Sequence, residues 1–217
     1  RELIKSLREE GFEIGLHGSY LSYLRSDELK LQKEQLESIL KEPIHSIRQH
    51  YLHFITPETW VAQDKAGFSY DTTLGFNTKV GFRGGCSSPF NAFDREKNNK
   101  LDLLEIPLAI QDGGLFDQFI PARKFFSTLF KMLPSEKGLP LDEVLAVVKR
   151  IMTEAKNTSG VIVLLWHPDK IWIRKYPYWF HIYEQVLKYL VTERAFVSSI
   201  REIGKKWKKM QKEIYIK

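Results

Sequence analysis

Cysteine is almost absent from the sequence, which has a single one, Cys86. One thiol forms no internal disulfide, so the sequence excludes both a disulfide-stabilised scaffold and a zinc site of clustered cysteines. Long apolar runs are also missing. The longest, GVIVLLW at 160–166, is far shorter than the roughly 20 residues that cross a bilayer. We therefore expect no transmembrane segment in this chain.

Signals for targeting and for nucleic acids are lacking as well. The first residues, RELIKSLREEGF, form an amphipathic helical pattern without the order of a signal peptide. The net charge is +6, and much of the local excess comes from Lys205, Lys206, Lys208, Lys209 and Lys212. No nucleic-acid-binding motif accompanies these lysines, so we interpret them as the solvated face of a helix and expect no nucleic-acid partner. Localisation and oligomeric state stay open: the cytoplasm is compatible, but a targeting segment ahead of Arg1 would change that.

Helical and strand-like patterns alternate along the chain, which predicts an α/β fold with a parallel sheet or barrel in one domain, 1–217. Helices are expected at 1–10, 27–41, 56–68, 122–132, 141–156 and 178–192 and in the final basic segment, with Ser26 or Asp27 and Thr56 as caps. Strands are expected at 13–17 and in PIHSIRQHY, LDLLEIPLAI and GVIVLLWH. The glycine- and serine-rich region 75–99 is expected to be an ordered surface excursion.

Three of the predicted strands end in a histidine: EIGLH at His17, SIRQH at His50 and VLLWH at His167. In the first of them, Ile14 and Leu16 point to one face and His17 to the other. Parallel α/β folds collect functional groups at the carboxyl ends of their strands. We therefore expect the three histidines to gather at one barrel mouth.

Segments spread over most of the chain resemble the polysaccharide deacetylase, or NodB-homology, family: EIGLHGSY, IRQHYLHF, AGFSYDTTLGF and VIVLLWH. The combination of RQHYLHF, GFRGG and LLWH is similar to a bacterial branch of that family. The resemblance implies a distorted (β/α) barrel, incomplete at the amino terminus, with its first strand ahead of Arg1. It also implies metal-dependent removal of N- or O-acetyl groups from a carbohydrate.

The resemblance implies that His17 is the first metal-binding histidine of the family's H-[ST]-x-x-H segment. Gly18 stands where that segment has a hydroxyl residue, and Leu21 stands at its second histidine, where leucine cannot bind a metal. His50, at another strand end, is the candidate replacement. Imidazole suits zinc, so we expect a divalent metal, zinc by preference, at His17 and His50. The alternatives are a structural His17 and a His50 that hydrogen-bonds beside Arg48.

The catalytic roles follow from the same resemblance. Arg48 belongs to a segment like the family's R-x-P-Y, which orients an aspartate base, although a structural ion pair would also explain it. His167 matches the L-x-H segment, where the histidine is the general acid; a structural role at the barrel end is the alternative. Asp71 aligns more weakly with the segment that orients this histidine.

Carbohydrate contacts are expected from residues beside these segments. Tyr51 belongs to the R-x-P-Y-like segment and Leu165 to L-x-H, while Arg83 lies in GFRGG and reaches the same mouth or braces its loop. Ser19 and Tyr20 follow the first strand and either line a sugar groove or serve a turn and packing.

The family's aspartate-rich first segment, which supplies a catalytic base and a metal-binding carboxylate, has no match in this chain and is expected before Arg1. A divalent metal lowers the pKa of its bound water and polarises the carbonyl, and a histidine protonates the leaving group near neutral pH. Because the aspartates are missing, we expect the isolated 217-residue chain to be weakly active or inactive.

Two other functions stay open on the sequence. A non-catalytic carbohydrate-binding descendant would also lack the aspartate segment and the ligand at Leu21. A barrel glycosidase would use Glu105, which alternates with Leu104 and Ile106, and Asp112 in a QDGG turn, with carboxyl separations of about 5 or roughly 6.5–9.5 Å. The simpler alternative gives Glu105 an internal ion pair and Asp112 a role in its turn.

Overall fold

The computed structural model describes residues 2–119, 141–171 and 177–215. The chain divides into two compact units. The first comprises Arg1–Leu74, Ser88–Pro107 and Ser198–Lys217, and the second comprises Gly75–Ser87 and Leu108–Val197. The single catalytic domain over 1–217 stays a prediction, and the helix expected at 122–132 lies outside the described residues.

Helices and strands alternate along the described chain, which confirms the predicted α/β class. The helices are α1 (Glu2–Glu9), α2 (Ser26–Leu40), α3 (Glu58–Lys65), α4 (Asp112–Phe119), α5 (Leu141–Asn157), α6 (Pro177–Thr192) and α7 (Ile200–Tyr215). The strands are β1 (Leu16–Gly18), β2 (Ser46–Gln49), β3 (Tyr70–Asp71), β4 (Phe90–Asp94), β5 (Asn99–Glu105), β6 (Leu108–Gln111) and β7 (Val163–Leu165). Within these residues no helix has the length and apolar content needed to cross a membrane.

The strands are organised in two sheets. The first unit holds a five-stranded sheet of order β1-β2-β3-β5-β4, in which only β4 is antiparallel to its neighbour. The second unit holds the parallel pair β6-β7. The parallel sheet that we expected is present, but the described strands do not close into a barrel.

A proline accounts for one break in the expected strand pattern. The run LDLLEIPLAI, predicted as one strand, is divided at Ile106 and Pro107, because proline has no N–H to donate to a sheet ladder. The segment before the proline is β5 and the segment after it is β6, and the two strands belong to different sheets.

The helix predicted at 27–41 is present as α2, and its leucine stripe is confirmed. Leu29 is fully buried, and Leu36 and Leu40 pack against the same cluster of core residues. The predicted caps are wrong: α2 begins at Ser26 without a side-chain cap, and α3 begins only at Glu58, beyond Thr56. Both helices therefore depend on burial of their apolar faces rather than on capping.

Two strand predictions need correction. Region 75–99 is not only a surface excursion, because β4 pairs with β5 and buries Ala92. The long apolar run GVIVLLWH forms only the short strand β7, although Leu164 of this strand and Ile162 just before it do pack against the core of the second unit.

Helix α7 packs so closely on β3 that it leaves no room for a side chain at Gly204. A β-carbon added there would lie 2.2 Å from Cε1 of Tyr70, whose ring is buried. On the same helix, the Lys208 ammonium lies 5.1 Å from the Tyr70 ring centroid and donates to the Asp102 carbonyl, so not every lysine of the basic helix is solvated.

We therefore expect Gly204→Ala to lower the free energy of unfolding by about 1–2 kcal/mol, because overpacking outweighs the roughly 1 kcal/mol gain in helix propensity. Denaturant unfolding measures this effect. Lys209→Ala, at an exposed position of the same helix, is the control and should change stability by less than about 0.5 kcal/mol. A Gly204→Ala variant that is more stable than the native protein would contradict the close packing.

Candidate functional site

The first site residues to consider are His17 and His50, at the carboxyl ends of neighbouring strands. His17 in β1 is in register with Arg48 in β2, and His50 directly follows β2. His17 Nε2 lies 3.0 Å from His50 Nδ1. The short distance follows from the parallel pairing of β1 and β2, which both end here.

The backbone fixes which nitrogen of His17 faces its partner. His17 Nδ1 lies 3.1 Å from the carbonyl oxygen of Arg48, and a carbonyl only accepts, so the neutral His17 ring carries its proton on Nδ1. Its Nε2 then presents a lone pair toward His50. Metal-binding histidines are commonly oriented in this way, with the other ring nitrogen donating to a backbone carbonyl.

The pair fits two ligands of one metal ion but does not form a complete set. Two imidazole nitrogens bound tetrahedrally to zinc would lie about 3.3 Å apart, close to the 3.0 Å that separates His17 Nε2 from His50 Nδ1. Leu21 is 63% exposed and offers no donor atom. Across the described residues, no three His, Cys, Asp or Glu side chains are grouped so that they hold a metal.

The glycine that departs from the family segment has a packing explanation. A β-carbon at Gly18 would lie 2.3 Å from Oε1 of Gln49 and 3.1 Å from Oγ of Ser22. The buried Gln49 side chain occupies the space that a side chain at position 18 would need. Local packing therefore explains why a residue without a side chain stands at position 18.

A buried pair of carboxyl groups lies beside Arg48 in the same sheet. Asp71 in β3 is in register with Glu105 in β5, and neither residue is exposed to solvent. Burial raises the pKa of Asp71 to about 6, and burial together with the charge of Asp71 raises the pKa of Glu105 well above its usual range. Trp60 Nε1 donates to Glu105 at 2.8 Å.

Arg48 interacts both with the histidine pair and with the pair of buried acids. Its carbonyl holds His17, and its Nε donates to the Thr72 carbonyl at 3.2 Å. Burial lowers the pKa of Arg48, and the charges of Asp71 and Glu105 oppose that shift. The positive charge of Arg48 thus interacts with the two buried acids, Asp71 and Glu105.

In the second unit, His167 is paired with Asp112. His167 Nδ1 lies 2.9 Å from Oδ1 of Asp112, and the His167 backbone N–H donates to Oδ2 at 2.7 Å. The Asp112 side chain is 1% exposed whereas that of His167 is 57% exposed. Because a carboxylate only accepts, Asp112 holds the proton of neutral His167 on Nδ1 and leaves Nε2 as the free ring position.

Sequence reasoning missed this partnership. Asp71 aligns only weakly with the segment that orients the histidine in the family, and it lies in β3 of the first unit; the carboxylate that contacts His167 is that of Asp112. Asp112 is the first residue of α4 and not part of a free turn. The QDGG sequence suggested a turn, and only the pairing of β6 with β7 brings residue 112 to the end of the strand before His167.

The expected carbohydrate-contacting residues are divided between the units. Ser19 and Tyr51 belong to the first unit with His17, and Tyr51 is 65% exposed. Arg83 and Leu165 belong to the second unit. Arg83 Nη1 donates weakly to the Gly75 carbonyl at 3.4 Å, as a loop-bracing arginine would. The gathering of all three histidines at one mouth stays a prediction.

The carboxylates of the glycosidase alternative are both engaged in the interior. Glu105 is fully buried and accepts hydrogen bonds from Trp60 of α3 and from the backbone of Leu74, and no ion pair of Glu105 is formed among the described residues. The Asp112 carboxylate accepts hydrogen bonds from the backbone N–H groups of His167 and Gly113. This geometry gives the glycosidase alternative no support.

Comparison with known proteins identifies a likeness of structure. No protein-family model and no curated protein matches the sequence. The chain is similar to the crystal structure of a protein from Mycobacterium smegmatis that is provisionally named a polysaccharide deacetylase, with a TM-score of 0.63 and 16% identity. The match covers 97% of this chain and 68% of the other. At that identity the likeness is one of fold: this chain shares the α/β fold of the mycobacterial protein.

Proposed function

We propose that this protein is a metal-dependent hydrolase that removes N- or O-acetyl groups from a carbohydrate. The observation that carries the proposal is the His17–His50 pair, whose nitrogens lie 3.0 Å apart with the His17 tautomer set by the Arg48 carbonyl. The similar fold of the mycobacterial protein, with its provisional deacetylase name, supports the proposal.

In this proposal, His17 and His50 hold a divalent metal, zinc by preference. Among the described residues no third His, Cys, Asp or Glu side chain joins this pair. The metal would supply Lewis-acid activation of water and of the acetyl carbonyl. Because His50 Nδ1 must donate its proton to His17 Nε2 when no metal is bound, metal binding requires His50 to carry its proton on Nε2 instead.

His167 takes the role of proton donor to the leaving amine or alkoxide. Asp112 keeps the proton of neutral His167 on Nδ1 and stabilises the imidazolium, whose Nε2–H is the proton to be given. The exposed ring of His167 suits such a transfer, because the leaving group must reach Nε2 directly. Arg48 acts as a positioning residue that fixes His17 through its carbonyl oxygen.

His17→Ala should weaken zinc binding by the native polypeptide about 10- to 100-fold, since it removes one of the two proposed ligands and the nitrogen that is already oriented. Zinc titration measured by calorimetry, with and without a chelator, tests this. His181→Ala, at an exposed histidine of α6, is the control and should bind zinc as the native protein does. Chelator-insensitive deacetylation that His17→Ala leaves unchanged would contradict the proposed function.

A carbohydrate-binding protein without catalysis is the second candidate. It is favoured by the lack, among residues 2–119, 141–171 and 177–215, of a third side chain that completes a metal site. Such a protein would bind an acetylated oligosaccharide in the presence of a chelator and release no acetate. Metal-dependent acetate release by the native polypeptide would exclude it.

A further inference from the structure

Beside the histidine pair, the first unit presents a cluster of exposed and partly exposed aromatic rings that we call the Tyr20 platform. Its members are Tyr20, Tyr23, His50, Tyr51 and His53. The Tyr20 ring centroid lies 4.3 Å from that of His53, 5.9 Å from Tyr51 and 6.0 Å from His50. Tyr20 is nevertheless 52% exposed.

The platform is held in place by its own contacts. His53 Nδ1 donates to the Tyr20 carbonyl at 3.1 Å, and the His53 ring contacts the rings of both Tyr20 and Tyr23. These contacts are edge-to-face, a geometry that fixes one ring against the next. Exposed rings that are already ordered lose little conformational entropy when a ligand covers them.

The backbone at Tyr51 is strained in a way that keeps its ring outside. Tyr51 and Leu52 have φ values of 53° and 50°, a left-handed conformation that non-glycine residues adopt at a cost of roughly 1–3 kcal/mol each. Leu52 is buried, whereas Tyr51 is exposed. A strained turn that exposes a tyrosine is a feature that more often accompanies a binding surface than packing.

A rim of polar side chains borders Tyr20. Ser19 Oγ donates to Glu28 at 2.9 Å, and Gln32 Nε2 donates to Ser19 Oγ at 2.8 Å and to Glu28 at 3.2 Å. These groups lie at the surface and combine donors and acceptors at fixed positions. Sugar hydroxyl groups, which both donate and accept, match such a rim.

We propose that the Tyr20 platform is a subsite that takes one ring of an oligosaccharide, outside the acetyl-bearing sugar at His17 and His50. A pyranose presents a flat face of C–H groups that stacks on an aromatic ring and an edge of hydroxyl groups that meets polar side chains. The platform is continuous with the histidine pair, because the His50 ring contacts both His17, at 5.1 Å between centroids, and Tyr20. This inference rests on the proposed function for the identity of its ligand as a carbohydrate.

The test uses the native polypeptide and two linear probes, a tetramer of β-1,4-linked N-acetylglucosamine and the matching tetramer of glucose. Binding is measured by calorimetry in the presence of a chelator. Tyr20→Ala should weaken binding of both tetramers about 3- to 10-fold, and Tyr20→Phe should keep most of the affinity, because stacking uses the ring and not the hydroxyl. Circular dichroism and denaturant unfolding check that the variants fold.

Phe93→Ala is the matched control. Phe93 is 44% exposed on β4, at the edge of the sheet opposite to β1, so its loss should leave the affinity for both tetramers unchanged. Equal losses of affinity in Tyr20→Ala and Phe93→Ala would overturn the subsite. So would native affinity in Tyr20→Ala, or failure of both tetramers to bind.

If Tyr20-dependent binding is found but no acetate is released with metal present, the proposed hydrolase function fails and the subsite stands. A protein that binds the surface and is not displaced by either tetramer would also count against the subsite.

Discussion

Replacing Asp112 with asparagine should lower kcat for the proposed deacetylation by the native polypeptide about 10²- to 10⁴-fold, the largest functional effect we expect from a single substitution. Asp112 accepts hydrogen bonds from Nδ1 and the backbone N–H of His167. An amide of the same shape has one acceptor oxygen. If its NH₂ group faces the ring, His167 Nδ1 must accept, and the proton moves to Nε2. The imidazolium also loses its counter-charge, so its formation is disfavoured.

The tautomer can be measured without any turnover. In the native protein, ¹⁵N chemical shifts of the His167 ring should report a protonated Nδ1 at neutral pH, and in Asp112→Asn they should report a protonated Nε2. Asp142→Asn is the control, because Asp142 also lies in the first turn of a helix of the second unit but is exposed. If both variants keep the native tautomer and native kcat, Asp112 does not position His167.

The second unit would also lose stability in this variant. The buried carboxylate accepts from three groups, the ring and the backbone of His167 and the N–H of Gly113. Asparagine leaves at least one partly buried donor without an acceptor, which costs about 1–3 kcal/mol. Comparing kcat at temperatures where both proteins are fully folded separates this loss from the change in tautomer.

Local patterns in the sequence predicted those features that depend on local physics. The helical spacing of Leu29, Leu36 and Leu40 predicted the buried face of α2. The two-residue alternation before His17 predicted that its ring would point away from the face that carries Ile14 and Leu16. The pairing of His17 with His50 followed from one further rule, that parallel strands end at the same edge. These predictions needed no distances.

Features that depend on distant residues were beyond the same reasoning. Asp112 and His167 are far apart in the chain and meet because β6 pairs with β7. Asp71 and Glu105 meet because β3 pairs with β5, although Phe90–Asp94 intervenes in the chain as β4. The alternation of apolar and polar residues alone placed Glu105 in a barrel lumen. Only the folded chain shows that its carboxylate accepts a hydrogen bond from Trp60.

The Asp71–Glu105 pair leads to the largest stability effect that we expect, and its physical basis is a shared proton. Asp71 Oδ1 accepts from the N–H of Thr73, while Oδ2 is buried without a well-formed hydrogen bond from any described N–H or hydroxyl group. Two ionised carboxylates only accept, so they cannot satisfy each other. A proton on Glu105 gives Oδ2 its partner, in agreement with the raised pKa of both groups.

Asp71→Asn should therefore raise the free energy of unfolding at pH 8 by roughly 2–3 kcal/mol relative to the native protein and change it little at pH 4. Both acids bind their protons more tightly in the folded than in the unfolded chain. The stabilisation that comes from the proton of Asp71 is thus complete below about pH 4 and is lost as the pH rises through about 6, the pKa of Asp71 in the folded protein. The new amide keeps an acceptor for Thr73 and donates to Glu105 from the position of Oδ2 at every pH, so the variant loses much less stability as the pH rises.

Urea unfolding between pH 4 and 8 measures how the free energy of unfolding of each protein changes with pH. Asp102→Asn, at an exposed position of β5, is the control and should keep the native slope. Identical slopes for Asp71→Asn and the native protein would show that the buried pair holds no shared proton.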